Sequence, residues 1–384
     1  MRIAFYFTHC ETLGHTTRIV ALAEGIKGHL PETSLLFLQG GKPLLYRQPF
    51  PLVDLPHPFY SREVFAGKKC SPTKEQVKER IKVMYEHLSK FEPDVFITEY
   101  FPFGREDCIQ ELVPILNWLR KKGVKLYASI GYPVISTQIQ KVELHHAQFD
   151  KLLIHTPEEY DLPYLLKYLE LSGLTSVGKW YKQFFSRHKE KIVFTGYVLS
   201  PSLYALRDKG REKTIVLSRG GGVIYPKFIV LGLQLPPLFK DMHFVCVPGP
   251  ATSEKEGLLF KKLAELYGVE YHPHLPTLSH LFATSTASIN MAGYGTVVQL
   301  LYLGTRSVFV ARQKENNHFY LEQQYRAFMA EQLGFGPVLR YENLNKEMLA
   351  EALRKTFMLT PIPLPLSCFD GATKTAQVIA DACA

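Results

Sequence analysis

The sequence predicts an α/β protein built from two parallel-sheet domains. Apolar strand-like runs alternate with amphipathic helical stretches, in two separate series that break near residue 200. The first run, residues 2–8, is continuously apolar, as suits the centre of a parallel sheet. At 384 residues the chain is also long enough for two domains, each with its own core.

The elements follow in order. After the first strand, a polar loop, His9-Cys10-Glu11-Thr12-Leu13-Gly14-His15, leads to a helix that Thr16 or Thr17 can cap. Its apolar face is Ile19, Val20, Leu22, Ala23 and Ile26. Residues 34–39 form a second strand before Gly40-Gly41, and residues 44–60 are rich in proline, apolar and aromatic residues. A charged amphipathic helix at 74–91 precedes a strand at 94–98, which delivers Glu99 into the turn Tyr100-Phe101-Pro102-Phe103-Gly104-Arg105. A helix at 107–122, strands at 124–130 and 151–155, and a helical region at 162–191 interrupted at 173–178 come next. Residues 191–195 close the first series.

The second series starts with a strand at 213–217 that ends in Ser218-Arg219-Gly220-Gly221-Gly222. A helix at 226–238, a strand at 243–247, a helix at 258–267 and a strand at 269–271 follow. Residues 285–334 then read as strand, glycine turn, helix, strand, loop and helix. The turn is Met291-Ala292-Gly293-Tyr294-Gly295-Thr296, Thr296 opens a helix that stops at Gly304, and Glu322-Gln323 opens another. The expected domains are residues 1–198 and 199–384, with the last helix free to pack back on the first.

Composition narrows the classes of function. Hydrophobic residues at 46% and charged residues at 21% describe a soluble globular protein. Forty-five basic against 36 acidic residues leave +9, which favours anionic partners. The charge is dispersed, without basic runs interleaved with aromatics, so nucleic acid is not expected as a partner. Six scattered cysteines with no metal-ligand spacing point to reduced thiols and a cytoplasmic protein. The N-terminus lacks a signal-peptide pattern, and the apolar window at 228–239 contains Gln234, Pro236 and Pro237, so it is no membrane span.

Two glycine loops after strands suit a phosphate. A helix N-terminus offers free N–H groups and the positive end of a dipole, and glycines let backbone approach a diphosphate closely. Neither loop is Gly-x-x-x-x-Gly-Lys or Gly-x-Gly-x-x-Gly, which argues against a P-loop and against a nicotinamide dehydrogenase. Glu322 and Gln323 supply groups that suit sugar hydroxyls, or else simply begin a solvated helix. His15 can take a proton from an acceptor hydroxyl, with Glu11 and Glu99 as rival bases. His272, His274 and His280 lack a carboxylate or cysteine partner at a familiar spacing, so no metal site is expected, and His145-His146 read as surface.

These motifs resemble the donor half of GT-B glycosyltransferases of the MurG type, glycosyltransferase family 28 and relatives. The pattern is Gly293 and Thr296, a helix, Leu303-Gly304, an apolar strand ending in Ala311-Arg312, then Glu322-Gln323, Arg326-Ala327 and Gly334. The full chain is similar to a bacterial group of predicted glycosyltransferases. Its marks are Gly14-His15 with Arg18, Phe101-Pro102-Phe103-Gly104-Arg105, Glu111-Leu112, Ser218 to Gly222, and Met291 to Tyr294. The resemblance implies two Rossmann-like domains facing across a cleft, with the nucleotide-sugar donor on the C-terminal one and inverting transfer without a metal or other cofactor. It implies that Ser218, Arg219, Gly220, Gly221, Gly222 and Met291, Ala292, Gly293, Tyr294, Gly295, Thr296 hold the diphosphate. It implies further that Leu275 meets the uracil, that Glu322 and Gln323 grip the sugar, and that His15 sits near the acceptor. Gln299 stands where the family's ribose-binding glutamate would be, and Cys10 where the group carries an acidic residue.

The expected activity is therefore transfer of a sugar from a UDP-sugar, such as UDP-N-acetylglucosamine, to an acceptor hydroxyl. The alternatives are a non-hydrolysing UDP-sugar epimerase and a non-catalytic nucleotide-sugar-binding protein. The acceptor is left open among a small molecule, a glycan and a lipid-linked compound. The apolar-basic stretch at 44–60 also leaves open a peripheral contact with the inner face of the membrane.

Overall fold

The computed structural model describes residues 1–8, 14–41, 49–58, 73–131, 139–221, 226–311 and 321–383. The chain divides into two compact units, Met1–Pro201 with Ser367–Ala384, and Ser202–Leu366.

Unit 1 carries a seven-stranded sheet in the order β3-β2-β1-β4-β5-β6-β7, comprising β1 (Arg2–Phe7), β2 (Ser34–Gln39), β3 (Leu52–Asp54), β4 (Val95–Glu99), β5 (Lys125–Ile130), β6 (Lys151–Ile154) and β7 (Ile192–Phe194). Every pairing is parallel. The helices are α1 (Gly14–His29), α2 (Lys74–Phe91), α3 (Ile109–Lys121), α4 (Ile139–His145), α5 (Glu158–Leu171) and α6 (Thr175–Arg187). β1 is apolar on both faces because helices cover both, and Ile3, Phe5 and Phe7 join Ile19, Leu22 and Ile26 of α1 in one core. The interrupted region at 162–191 is two helices, broken at Gly173, whose φ of +72° favours glycine. The proline-rich stretch contributes β3, which pairs with β2 at the sheet edge, where a flanking proline costs no ladder bond; residues 42–48 and 59–72 lie outside the described ones.

Unit 2 carries a six-stranded parallel sheet in the order β10-β9-β8-β11-β12-β13. Its strands are β8 (Glu212–Ser218), β9 (His243–Val247), β10 (Glu270–Tyr271), β11 (Ser285–Met291), β12 (Ser307–Ala311) and β13 (Val338–Arg340). Its helices are α7 (Pro226–Gly232), α8 (Glu254–Tyr267), α9 (Leu278–Thr284), α10 (Tyr294–Leu303), α11 (Leu321–Gln332) and α12 (Lys346–Phe357). α8 starts four residues before its apolar run, because Ser253 and Glu256 form a capping box there. α7 ends at Gly232 rather than running to 238, and Pro236 begins a separate 3-10 turn. The last helix, α13 (Gly371–Cys383), belongs to unit 1 and packs Ala372, Ala376 and Ile379 into the α1 core. α4, α9, α12 and β13 have no counterpart among the elements expected from sequence, which gave the last helix no bounds.

Candidate active site

Each sheet reverses strand order between its first and fourth strands, and ligands of such sheets bind outside the carboxyl ends at that point. In unit 1 the point lies between β1 and β4, with Tyr6 opposite Thr98, so α1 and Glu99 emerge side by side. His15, in the first turn of α1, places Nδ1 2.6 Å from Glu99 Oε1. Arg18, three residues on and therefore on the same helix face, bonds the same oxygen. Arg105 Nε lies 3.9 Å from Oε2.

The Glu99 side chain is fully buried, whereas that of His15 is 21% exposed. Burial works against ionisation of Glu99, but His15 and Arg18 outweigh it and hold its pKa at about 2. Glu99 is therefore an anion near neutral pH and a weak proton acceptor. An anion beside Nδ1 fixes the proton there and leaves a lone pair on Nε2. Burial, with Arg105 and Arg18, lowers the pKa of His15 below 6.5 although Glu99 opposes them, so the imidazole is neutral and competent to accept a proton. Glu11 and Cys10 lie outside the described residues.

The turn that follows Glu99 supports this pair. Tyr100 and Arg105 sit at φ of +70° and +61°, a left-handed conformation that costs a bulky residue about 1–2 kcal/mol each. The distortion sets the Tyr100 ring edge-on to His15, at 5.5 Å between centroids. Behind the pair, buried His155 bonds Ser129 Oγ and Thr195 Oγ1, both at 2.8 Å, and burial with nearby Arg18 pushes its pKa down to about 3. Gly131 is needed beside Arg18, since a Cβ there would overlap the guanidinium.

In unit 2 the reversal lies between β8 and β11, with Ser218 opposite Asn290. The loops beyond them converge. A Cβ on Gly220, where φ is +68°, would stand 3.3 Å from Thr296 Oγ1, and one on Gly249, where φ is +102°, would overlap the Gly220 carbonyl. α10 begins at Tyr294 rather than Thr296, so Tyr294, Gly295 and Thr296 form its first turn, with Gly293 the residue before it. Their N–H groups are the ones a helix leaves without an intrahelical acceptor. Gly221 follows Gly220 in the turn, while Gly222 lies outside the described residues.

Several side chains differ from the expected arrangement. The Arg219 guanidinium is buried and bonds the start of α8 and the loop before it, with Nη2 2.8 Å from Thr252 Oγ1 and Nη1 3.3 Å from Glu256 Oε1. These bonds brace the loop. Met291 and Ala292 are buried, and Met291 packs in the unit 2 core, which leaves backbone as their contribution. Gln299 Oε1 accepts from Ser279 Oγ at 3.2 Å, and the Leu275 carbonyl accepts from Leu278 N–H at 3.1 Å. Glu322 pairs with Arg326 at 2.9 Å, and Arg326 lies over the Tyr294 ring, 5.6 Å from its centroid. Gln323 Oε1 is buried with no hydrogen-bond donor among the described residues.

His272 has a carboxylate partner, though not at a familiar ligand spacing. Glu270 bonds His272 Nε2 at 2.5 Å and His243 Nε2 at 2.8 Å, two residues away and across the β9–β10 pair, where spacing rules do not look.

Sequence patterns do not mark His155 or Gly249 as site residues, and Arg18 and Arg105 enter only as marks of the family resemblance. Arg18 carried a signal, a charge among the apolar positions of α1 and one turn from His15. His155 and Gly249 carried none, because their partners are 26 to 40 residues away or on another loop.

The chain resembles known proteins in two ways. Residues 231–362 match the family model of the glycosyltransferase family 28 C-terminal domain. The chain is 28% identical over 175 residues to the UDP-N-acetylglucosamine--N-acetylmuramyl-(pentapeptide) pyrophosphoryl-undecaprenol N-acetylglucosamine transferase of Thermotoga neapolitana. That alignment covers 46% of this chain and 48% of the relative, about half of its length. Solved structures share the fold over nearly the whole chain. Acinetobacter baumannii MurG aligns with a TM-score of 0.58 at 13% identity, over 99% of this chain and 100% of that one. The UDP-GlcNAc 2-epimerase of Methanocaldococcus jannaschii aligns with 0.56 at 10%, over 100% of both. The calicheamicin glycosyltransferase aligns with 0.56 at 16%, over 99% and 97%. Residues 231–362 thus match the glycosyltransferase family 28 C-terminal domain, about half the chain is similar to a transferase of the MurG type, and the chain as a whole has the GT-B fold.

Proposed function

We propose that the chain is an inverting, metal-independent glycosyltransferase that moves a sugar from a UDP-sugar, such as UDP-N-acetylglucosamine, to a hydroxyl acceptor. The observation that carries this reading is where the family 28 match falls. It spans the loops after β9 and β11, whose Gly249 and Thr296 converge with Gly220.

In this reading unit 2 holds the donor. N–H groups of the first turn of α10, with the Gly220-Gly221 backbone, take the charge of the diphosphate, a task that a divalent ion performs in other transferases. The unpartnered Gln323 Oε1 accepts from a sugar hydroxyl, Glu322 lies beside it, and Gln299 meets the ribose. Unit 1 holds the acceptor and its base. His15 Nε2 takes the proton of the acceptor hydroxyl, whose oxygen bonds the anomeric carbon as the bond to the diphosphate breaks on the opposite face. Glu99 stabilises the imidazolium formed in that step, as the carboxylate of a catalytic triad does. The relative named above acts on a pyrophosphoryl-undecaprenol compound, from which we infer a lipid-linked acceptor reached from the cytoplasmic side. Among the described residues no helix is long and apolar enough to cross a membrane, so that contact would be peripheral.

The test begins with a thermal-shift panel of nucleotides and nucleotide sugars, followed by NMR of the matching donor with acceptor alcohols, with and without EDTA. Stabilisation by UDP or a UDP-sugar and EDTA-resistant formation of a product of inverted anomeric configuration are expected. Epimerisation of the donor without acceptor would replace this reading with an epimerase, and binding without turnover would leave a nucleotide-sugar-binding protein.

A further inference from the structure

Away from His15, unit 1 brings Glu143 of α4, His146 of the 3-10 turn that follows it, and His188 at the end of α6 into one group. One ligand-capable atom from each lies within 4.8 Å of the others. None of the three is assigned a role in transfer, and each is prepared as a metal ligand is.

His146 Nδ1 faces only acceptors, the carbonyls of Val142 at 3.1 Å and Glu143 at 2.9 Å. It must therefore carry the proton, which places a lone pair on Nε2, the arrangement by which metal-bound histidines are oriented. His188 Nε2 is buried with no hydrogen-bond partner among the described residues. The two rings lie 4.2 Å apart at their centroids and share a packing partner in Phe184. Glu143 Oε1 accepts from Trp180 Nε1 at 2.9 Å and from Arg187 Nη2 at 2.6 Å, so the carboxylate is oriented. Arg187 is the only cation paired with it among the described residues, and its side chain is 54% exposed, free to swing into solvent.

We propose that Glu143, His146 and His188 bind a borderline divalent ion, zinc by this donor set, with water completing the coordination. Two imidazole nitrogens and one carboxylate oxygen suit zinc and its first-row neighbours and do not suit magnesium or calcium, which take oxygen shells. The ion replaces Arg187 as the counter-charge of Glu143 and joins α4, too short to be stable alone, to the end of α6. These helices also carry the packing of the turn after Glu99: Phe101 meets the His145 ring at 5.4 Å and Phe103 meets Phe184 at 5.9 Å. The site is structural, and no step of sugar transfer passes through it.

The test is isothermal titration of the chelator-stripped full chain with zinc chloride, beside His188→Phe, His146→Phe, Arg187→Ala and, as a control on the exposed His243–Glu270–His272 group, His272→Gln. Circular dichroism checks that each variant is folded. One equivalent is expected to bind. Affinity should fall about a hundredfold or more in either phenylalanine variant, since loss of a ligand exceeds the 10–100-fold typical of an outer-shell loss. It should rise about tenfold in Arg187→Ala, where a repelling charge is gone, and should not change in His272→Gln. If one phenylalanine variant fails to fold, the other and Arg187→Ala carry the test. No zinc bound, an affinity indifferent to His146 and His188, or binding lost in His272→Gln overturns the proposal.

Discussion

The two sheets offer the same topological position, the carboxyl ends of the first and fourth strands, and the sequence fills it in opposite ways. In unit 1 the position is packed with charged and titratable side chains: buried Glu99 meets Arg18, Arg105 and the neutral, partly exposed imidazole of His15. In unit 2 it is lined by backbone, with Gly220 and Gly249 pressed together and Thr296 beside them, while Arg219 is bonded to Thr252. The difference follows from the tasks proposed for them. A general base is one atom whose pKa and tautomer must be held, which takes neighbouring charges. A diphosphate is a diffuse anion that several N–H groups can share, which takes close approach and the absence of Cβ atoms. The first solution buries charge and so depends on every partner being present; the second depends on shape.

The largest effect should come from His15→Ala. Loss of a positioned general base is expected to lower kcat about 10²–10⁴-fold. Because the donor is assigned to unit 2 alone, the stabilisation that UDP gives in thermal shift should be unchanged. A variant that loses UDP binding along with turnover would break the separation of tasks.

Glu99→Gln attacks the same site through its stability. It leaves Arg18 and Arg105 buried without their anion, and unfolding should become easier by about 3–5 kcal/mol. The pH dependence has a defined sign. The pKa of Glu99 is depressed from 4.5 to about 2, so its contribution is present above 4.5 and lost as pH falls to about 2. That of His155 is depressed from 6.5 to about 3, so its contribution is present above 6.5 and lost between 6.5 and 3. Denaturant unfolding across pH should show both losses in the natural protein and only the upper one in Glu99→Gln. The same substitution removes the one group that raises the pKa of His15, so whatever activity remains should have its acid limb at lower pH. An acid limb that moves up instead would show that Glu99 does not face His15 in solution.

Much of this contrast was legible in the chain itself. Local patterns placed α2 and β9 at 74–91 and 243–247, and the glycine turns after β8 and β11, because runs of apolar residues and glycine obey short-range rules. The partners of each charge were not legible. Glu99 is 84 residues from His15, and nothing local distinguishes a carboxylate that accepts protons from one locked at about 2 by Arg18. Arg219 illustrates the same limit: an arginine beside three glycines reads as a phosphate ligand, and nothing local shows its bonds to Thr252 and Glu256, 33 and 37 residues on.

Gly249→Val probes the backbone solution. The valine Cβ would have to share space with the Gly220 carbonyl, at a φ of +102° that valine avoids, so the Gly220 loop must move. Displacement by about 1 Å is expected to weaken UDP binding about a hundredfold. Unit 1 is a separate fold unit, so acid unfolding of its network should keep the two pH windows given above. A Gly249→Val protein that binds UDP normally would show that the loop does not form the donor site.

The smallest change sharpens the comparison from the other side, by adding a charge at a neutral position of unit 2. Gln299 lies one turn beyond Thr296 in α10 and is held by Ser279 Oγ. Both of its end groups can bond a ribose diol, but as neutral partners. Gln299→Glu keeps the length and makes the acceptor ionised, and such hydrogen bonds are about twice as strong. UDP should then bind up to about tenfold more tightly, equivalent to about 1.4 kcal/mol, while uridine-free pyrophosphate should bind no better or slightly worse beside the new charge. Titration calorimetry with UDP, uridine and pyrophosphate separates the two terms. An equal gain for all three ligands would mean that residue 299 acts through the fold of α10 and not on the ribose.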